Sequence, residues 1–322
     1  MSSEDLIRRF AERFEALCAN TGRALHGKEG VVRSAYVCLL AEGHLLIEDV
    51  PGVGKTSLAR AVAASVELEW NRIQFTPDLL PTDVTGVTVF DQRSSTFSFR
   101  PGPVFANVVL ADEINRASPK TQSALLEVMQ ERTVTVDGVV RPVPRPFVVI
   151  ATQNPVDLEG TYVLPEAQLD RFLMRLEIGY PSPEAEALVL RTERDEPTVS
   201  LLSPVMSKAE LLEMIDAVGA NVEVSPAVEA YIVAVCGETR VRPEVRLGAS
   251  PRAALGLLRA ARVVAASSGR TYVVPGDVKS VAEAVLAHRL LLHPEAELQG
   301  RTAVDVLARV LESVPVPRTL AG

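Results

Sequence analysis

The stretch Ile47-Glu48-Asp49-Val50-Pro51-Gly52-Val53-Gly54-Lys55-Thr56 limits what this chain can fold into more than any other. It continues the apolar run Leu45-Leu46 and leads into a helical pattern over residues 55–66, so it reads as strand, glycine loop and helix. Glycines in such a loop let backbone N–H groups approach phosphate oxygens, and the new helix turns its positive end toward them. Lys55 is placed to reach β- and γ-phosphates, and the Thr56 hydroxyl to ligate Mg2+. Pro51, Gly52, Val53, Gly54, Lys55, Thr56 and Ser57 together form the candidate nucleotide-binding segment. Two carboxylates, Glu48 and Asp49, stand directly in front of it, and Asp49 takes the place where the usual pattern has glycine. Phosphate binding in this loop comes from backbone N–H groups and Lys55. A short acceptor at the strand exit can instead brace the turn through backbone hydrogen bonds.

The rest of the first 180 residues fits that unit. Leu6, Phe10, Phe14 and Leu17 share one face of a helix over residues 4–19, and a second helix is expected over 28–41. Short apolar runs near 44–48, 72–76, 107–111, 147–152 and 174–178 predict strands separated by helices. The helix over 119–131 carries its own start signal, with Ser118 as N-cap and Pro119 in the first position. Apolar strands that alternate with helices imply a parallel sheet covered on both faces, an α/β fold. Two stretches break the rhythm. Thr133–Val140 alternates around Asp137-Gly138, a hairpin-turn signal, and residues 87–99 form two alternating arms around a polar turn. From about 181 the sequence becomes polar and proline-bearing, as in a linker, and beyond 207 the patterns are helical. The expected division is therefore residues 1–195, a helical domain over 205–316, and a tail over 317–322.

Two further strand ends carry chemistry. Val108-Val109-Leu110-Ala111 ends in Asp112-Glu113, at the edge where ligands bind in such sheets. Asp112 can hold Mg2+ through its water shell, and Glu113 can orient and deprotonate an attacking water. A third strand, residues 147–152, ends in Gln153-Asn154, where a neutral amide can hydrogen-bond both phosphate and water.

Bulk properties narrow the setting. A net charge of -8 and a pI near 5.2 argue against bulk nucleic-acid or acidic-membrane binding. Cys18, Cys38 and Cys236 are too few and too scattered for a disulfide framework or a zinc site. No uninterrupted apolar run approaches the ~20 residues of a membrane span, and the first residues do not read as a secretory signal. The expectation is a cytoplasmic protein without membrane insertion.

The segments GHLLIEDVPGVGKTSLARAVA, RIQFTPDLLPTDVTG, FRPGPVFANVVLADEINRASPKTQSALLEVMQER, ATQNPVDLEGTYVLPEAQLDRFLMR and GASPRAALGLLRAAR, in this order, resemble the MoxR family of AAA+ ATPases. The resemblance implies an αβα core with a five-stranded parallel sheet and inserted β-hairpins, followed by an all-helical lid. It implies that Asn154 is sensor 1, that Arg171 is an arginine finger acting on a neighbouring subunit's nucleotide, and that Arg252 is sensor 2. Ser250 as N-cap and Pro251 at the first turn would fix the helix that carries Arg252. Leu25-His26-Gly27-Lys28 lies where the family clasps adenine, which makes Gly27 a further nucleotide-binding candidate. The two hairpins match elements near the pore of a ring. By the same resemblance the chain is a homo-oligomer, a hexamer, that uses ATP and Mg2+ to remodel or activate a protein partner bearing a von Willebrand factor A domain. Two other readings stay open: an ATPase subunit of a magnesium chelatase, and a nucleotide-dependent scaffold with little turnover. The acidic lead-in Glu48-Asp49 is included in the family resemblance.

Overall fold

The computed structural model describes residues 2–50, 52–93, 95–154, 161–192, 199 and 202–317. Contacts divide the chain into two compact units. One gathers Leu17–Arg171 with Leu176–Leu212; the other gathers Met1–Ala16, Phe172–Arg175 and Glu213–Gly322. The compact units thus do not follow a single cut in the sequence.

The first unit holds the glycine loop and most of the elements around it; residues 3–16 and 174–175 of those elements belong to the other unit. Helices α1 (Ser3–Gly22) and α2 (Glu29–Leu40) lead to β1 (Leu45–Glu48), and the glycine loop opens α3 (Lys55–Ala64). After β2 (Trp70–Gln74) and the short α4 (Pro81–Thr85), β3 (Gly86–Asp91) and β4 (Thr96–Pro101) form an antiparallel hairpin. Strand β5 (Val108–Asp112) then precedes α5 (Pro119–Glu131). The hairpin β6 (Thr133–Val136) with β7 (Val139–Pro142) follows, then β8 (Val148–Gln153), α6 (Glu166–Leu169) and β9 (Met174–Leu176).

Five of these strands form one sheet in the order β2-β5-β8-β1-β9. The pairs β2 with β5, β5 with β8, and β8 with β1 run parallel. The central strands are buried on both faces: Val108, Val109, Leu110 and Ala111 are fully enclosed, as are Leu46 and Ile47. Each such Val, Leu or Ile contributes about 1.5–3 kcal/mol relative to an exposed position, and such apolar runs are what a doubly covered parallel sheet demands. Edge strand β2 shows the contrast, with only Ile73 buried. Because β8 lies between β5 and β1, three strand ends, at Asp112, Gln153 and Glu48, come to one edge.

Local signals explain several boundaries. Ser118 Oγ accepts the Thr121 N–H and Pro119 occupies the first turn of α5. Asp137 and Gly138 take φ of 52° and 74°, the paired positive values of a tight hairpin turn. One expected linker is a helix instead: residues 183–192 form α7 (Pro183–Thr192). Its start signal was the ordinary one, since Ser182 Oγ accepts the Ala185 N–H ahead of Pro183. The rest of that expected linker, residues 193–198 and 200, lies outside the described residues.

The second unit is mainly helical, with α8 (Lys208–Asn221) entering it and α9 (Pro226–Val241), α10 (Pro251–Ser267) and α11 (Pro275–Leu286) inside. Ser250 Oγ accepts the Ala253 N–H and Pro251 opens α10, as the sequence predicts. It also carries a ribbon of β10 (Val245–Leu247) and β11 (Leu291–Leu292), followed by α12 (Pro294–Leu298) and α13 (Ala303–Ser313). Val245 and Leu292 of the ribbon pack with Ala296 and Val306 in one buried cluster. Buried Arg289 donates to the carbonyls of Phe172 (2.7 Å) and Leu173 (3.3 Å), which ties that segment to this unit. No helix among the described residues is long and apolar enough to cross a membrane.

Candidate active site

The shared edge of β1, β5 and β8 borders a cleft of about 370 Å3, within the usual size of small-molecule sites. Gly52, Gly54, Lys55, Thr56, Ser57, Arg72, Asp112, Glu113 and Asn154 line it. Seven of the residues singled out in the sequence besides Gly52 therefore meet in one place: Gly54, Lys55, Thr56, Ser57, Asp112, Glu113 and Asn154. Val53 is buried, and it and Gly27 lie outside the lining. Pro51 lies outside the described residues. Arg171 does not line the cleft, and Arg252 is exposed in the first turn of α10 in the second unit.

The loop geometry shows why glycine stands where it does. Gly52 and Gly54 have φ of 86° and 97°, and a Cβ would meet nothing closer than Leu25 Cδ2 at 3.6 Å from Gly54. Space is available; the left-handed backbone is what requires glycine. Gly54 is also the N-cap of α3 and provides no side-chain cap, so the first N–H groups of that helix face the cleft without one. Lys55 Nζ donates to the backbone carbonyl of Asp49 and, at 3.3 Å, to that of Gln153. Burial lowers the Lys55 pKa, while the nearby charges of Asp49, Asp112 and Glu113 act in the opposite direction.

The two acids at the end of β5 are held by neighbouring strands. Thr152, almost fully buried at 1% exposure, donates its hydroxyl to Asp112 Oδ1 at 2.6 Å. Thr152 Oγ1 also accepts the Glu113 N–H at 2.9 Å. One hydroxyl thus fixes both the metal-binding candidate and the base candidate. Arg72 grips Asp112 Oδ2 from the other side, through Nη2 at 2.7 Å and Nε at 3.1 Å. Glu113 Oε2 accepts from Gln74 Nε2 at 3.1 Å and Arg116 Nη1 at 3.0 Å. Glu113 itself has φ of 56°, a left-handed conformation that is uncommon away from glycine and recurs where function over-determines the backbone. Asn154, mostly buried, completes the lining beside these groups.

Thr152, Arg72 and Gln74 had not been singled out from the sequence. Thr152 was within reach, as the polar residue at the end of an apolar strand two positions before Asn154. Arg72 and Gln74 gave no local signal. Their relevance follows from the β2–β5 register, which sets Gln74 opposite Asp112.

Among the described residues no three His, Cys, Asp or Glu side chains cluster to enclose a metal ion. The Thr56 hydroxyl and the Asp112 carboxylate in the cleft are the sparse donor set that suits magnesium when phosphates and water supply the remaining ligands. The residues present fit that ion.

Comparison with known proteins agrees with this geometry. The family described as "ATPase family associated with various cellular activities (AAA)" matches residues 44–174, and the AAA lid domain family matches residues 237–310. Chaperone MoxR1 of Mycobacterium tuberculosis is 45% identical over 308 residues, covering 93% of this chain and 81% of its own. The uncharacterized protein YeaC of Bacillus subtilis is 48% identical over 295 residues, 92% of each chain. A crystal structure of a Cytophaga hutchinsonii protein superposes with a TM-score of 0.91 at 36% identity, covering 98% of both chains.

Proposed function

The chain belongs to the MoxR family of AAA+ ATPases, and from that premise we propose that it hydrolyses Mg·ATP in a homo-oligomeric ring and uses the cycle to remodel or activate a protein partner. The observation that carries the reading is the convergence of Lys55, Thr56, Asp112, Glu113 and Asn154 on one cleft, drawn from three separate strand ends. A nucleotide-binding module needs only the loop; the acids and the amide add a means of hydrolysis.

In this reading the N–H groups at the start of α3 and the Lys55 ammonium hold the phosphates. Thr56 and Asp112 would hold magnesium, which when bound supplies charge neutralisation across the phosphate oxygens. Glu113 takes a proton from the attacking water, a role worth about 10²–10⁴-fold in rate. Its backbone N–H bond to Thr152 keeps its Cα at the strand end while the carboxylate turns. Asn154 hydrogen-bonds phosphate and water without carrying charge. Residues 1–195 act as the ATPase core and 205–316 as the lid, with Arg252 as sensor 2. Arg171 acts on the nucleotide of an adjacent subunit in a hexamer, where a guanidinium supplies forked, permanent charge. The client reaches the ring through a von Willebrand factor A domain partner.

Mixing subunits tests this directly. Arg171→Ala and Glu113→Gln proteins should each be nearly inactive alone, because each lacks a different part of a shared site. Mixed rings should recover measurable ATPase activity, since one protomer's finger completes another's intact cleft. Absence of recovery in rings whose assembly is verified by mass photometry would rule out action between subunits.

A further inference from the structure

The carboxylate that opens the phosphate loop has a structural partner far away in sequence. Asp49 Oδ2 accepts the Gly179 N–H at 2.6 Å, across 130 residues, and Oδ1 accepts the adjacent Val50 N–H at 2.8 Å. The backbone of Asp49 is engaged as well. Its N–H donates to the Gln153 carbonyl at 3.2 Å, which continues the β1–β8 ladder, and its own carbonyl accepts from Lys55 Nζ. Every polar group of Asp49 is thereby committed within the protein, and none is left directed at a phosphate.

The segment around Gly179 is gripped from the other side too. Lys28 Nζ donates to the carbonyls of Ile178 and Tyr180, at 2.8 Å each. Gly179 has φ of 69°, and this left-handed turn lets its N–H face Asp49 while the carbonyls on either side face Lys28. These residues carry the chain from β9 (Met174–Leu176) toward α7 (Pro183–Thr192). Lys28 in turn immediately follows Gly27, whose φ is also 69° and whose Cβ position would lie 3.2 Å from Ala185 Cβ in α7.

We infer that Asp49 and Lys28 form a bracket that positions residues 178–180 against the phosphate loop, making Asp49 a positioning residue that links the state of the loop to the exit segment of the sheet. The inference rests on the reading of the cleft as an ATP site. Its physical basis is that Lys55 leans on the carbonyl of the same residue whose carboxylate holds Gly179. Phosphates entering the loop compete with that carbonyl for the ammonium. The change is felt at Asp49, and its carboxylate passes it to Gly179. A glycine at position 49 would serve the loop equally well and would lose the link.

Hydrogen exchange read by mass spectrometry tests this on the full chain. In nucleotide-free protein, Asp49→Ala should speed exchange of the peptide spanning 177–182 about tenfold, the size expected for losing a hydrogen bond to a charged acceptor. Lys28→Met, which keeps the stem and removes the donor, should loosen the same peptide from the other side. Asp49→Asn retains one acceptor oxygen and should fall between Asp49→Ala and the unmodified chain. Adding ATP should alter exchange at 177–182 in the unmodified protein and leave it unaltered in Asp49→Ala, while ATP affinity by calorimetry stays within about fivefold. Unchanged exchange in both nucleotide-free variants would overturn the bracket; so would an ATP response that survives in Asp49→Ala. If the unmodified protein binds no ATP, the functional reading fails, and the nucleotide-free comparison still decides whether the bracket exists.

Discussion

Two strands of one sheet end in a pair of acids, and the carboxylates at the two ends meet different kinds of donor. Strand β1 runs out through Glu48 and Asp49, and strand β5 through Asp112 and Glu113. Both follow apolar, buried runs and reach the same edge. The Asp49 carboxylate turns to backbone N–H groups, those of Val50 and Gly179, and fastens chain to chain. Asp112 and Glu113 line the cleft, and their carboxylates are met by side-chain donors: Arg72, Gln74, Arg116 and the Thr152 hydroxyl. Backbone donors are fixed in place and suit a joint. Side-chain donors can withdraw when a cation or water takes their place, and suit a reacting centre. The same sequence pattern therefore acquires its role from what surrounds it.

The widest separation between the two pairs should come from Thr152, whose hydroxyl bonds both members of the second pair. Removing its hydroxyl in Thr152→Val leaves Asp112 Oδ1 and the Glu113 N–H without their shared partner. Steady-state assays should show kcat falling about 10–100-fold with the KM for ATP within a few-fold, and Thr152→Ser should restore most of the loss. Hydrogen exchange at 177–182 should not respond to either variant. A smaller effect is expected at Arg72, whose guanidinium occupies the carboxylate proposed for magnesium. Arg72→Ala frees that oxygen, so the Mg2+ concentration for half-maximal ATPase should fall about two- to fivefold. This partly exposed pair lies in the range of modest surface ion pairs. A rise in the magnesium requirement would mean that Arg72 assists the site in place of competing with it.

Much of the fold was legible because its signals are local. Ser118-Pro119 and Ser250-Pro251 announce helix starts, Asp137-Gly138 a tight turn, and the apolar runs of β1, β5 and β8 a covered parallel sheet. The same kind of signal at Ser182-Pro183 is hidden within a polar stretch, so the sequence pattern predicts a linker where α7 forms. Lys55, Thr56, Asp112, Glu113 and Asn154 were legible because each ends or follows a strand. Arg72, Gln74 and the Asp49–Gly179 bond were not, because they depend on which strands lie side by side and in what register. That information belongs to the assembled sheet. For Asp49 the sequence suggested a local brace; the structure adds a partner 130 residues on.

The most direct test neutralises one acid from each pair and changes nothing else in shape. Glu113→Gln and Asp49→Asn should be assayed side by side for ATP binding by calorimetry and for phosphate release. Glu113→Gln is predicted to bind ATP within a few-fold of the unmodified chain and to lose at least about 100-fold in turnover. Asp49→Asn, which keeps an acceptor oxygen for one of the two backbone N–H groups, is predicted to retain turnover within about fivefold. Undiminished phosphate release by Glu113→Gln, or an equal loss in both variants, would contradict the division of labour between the two strand ends.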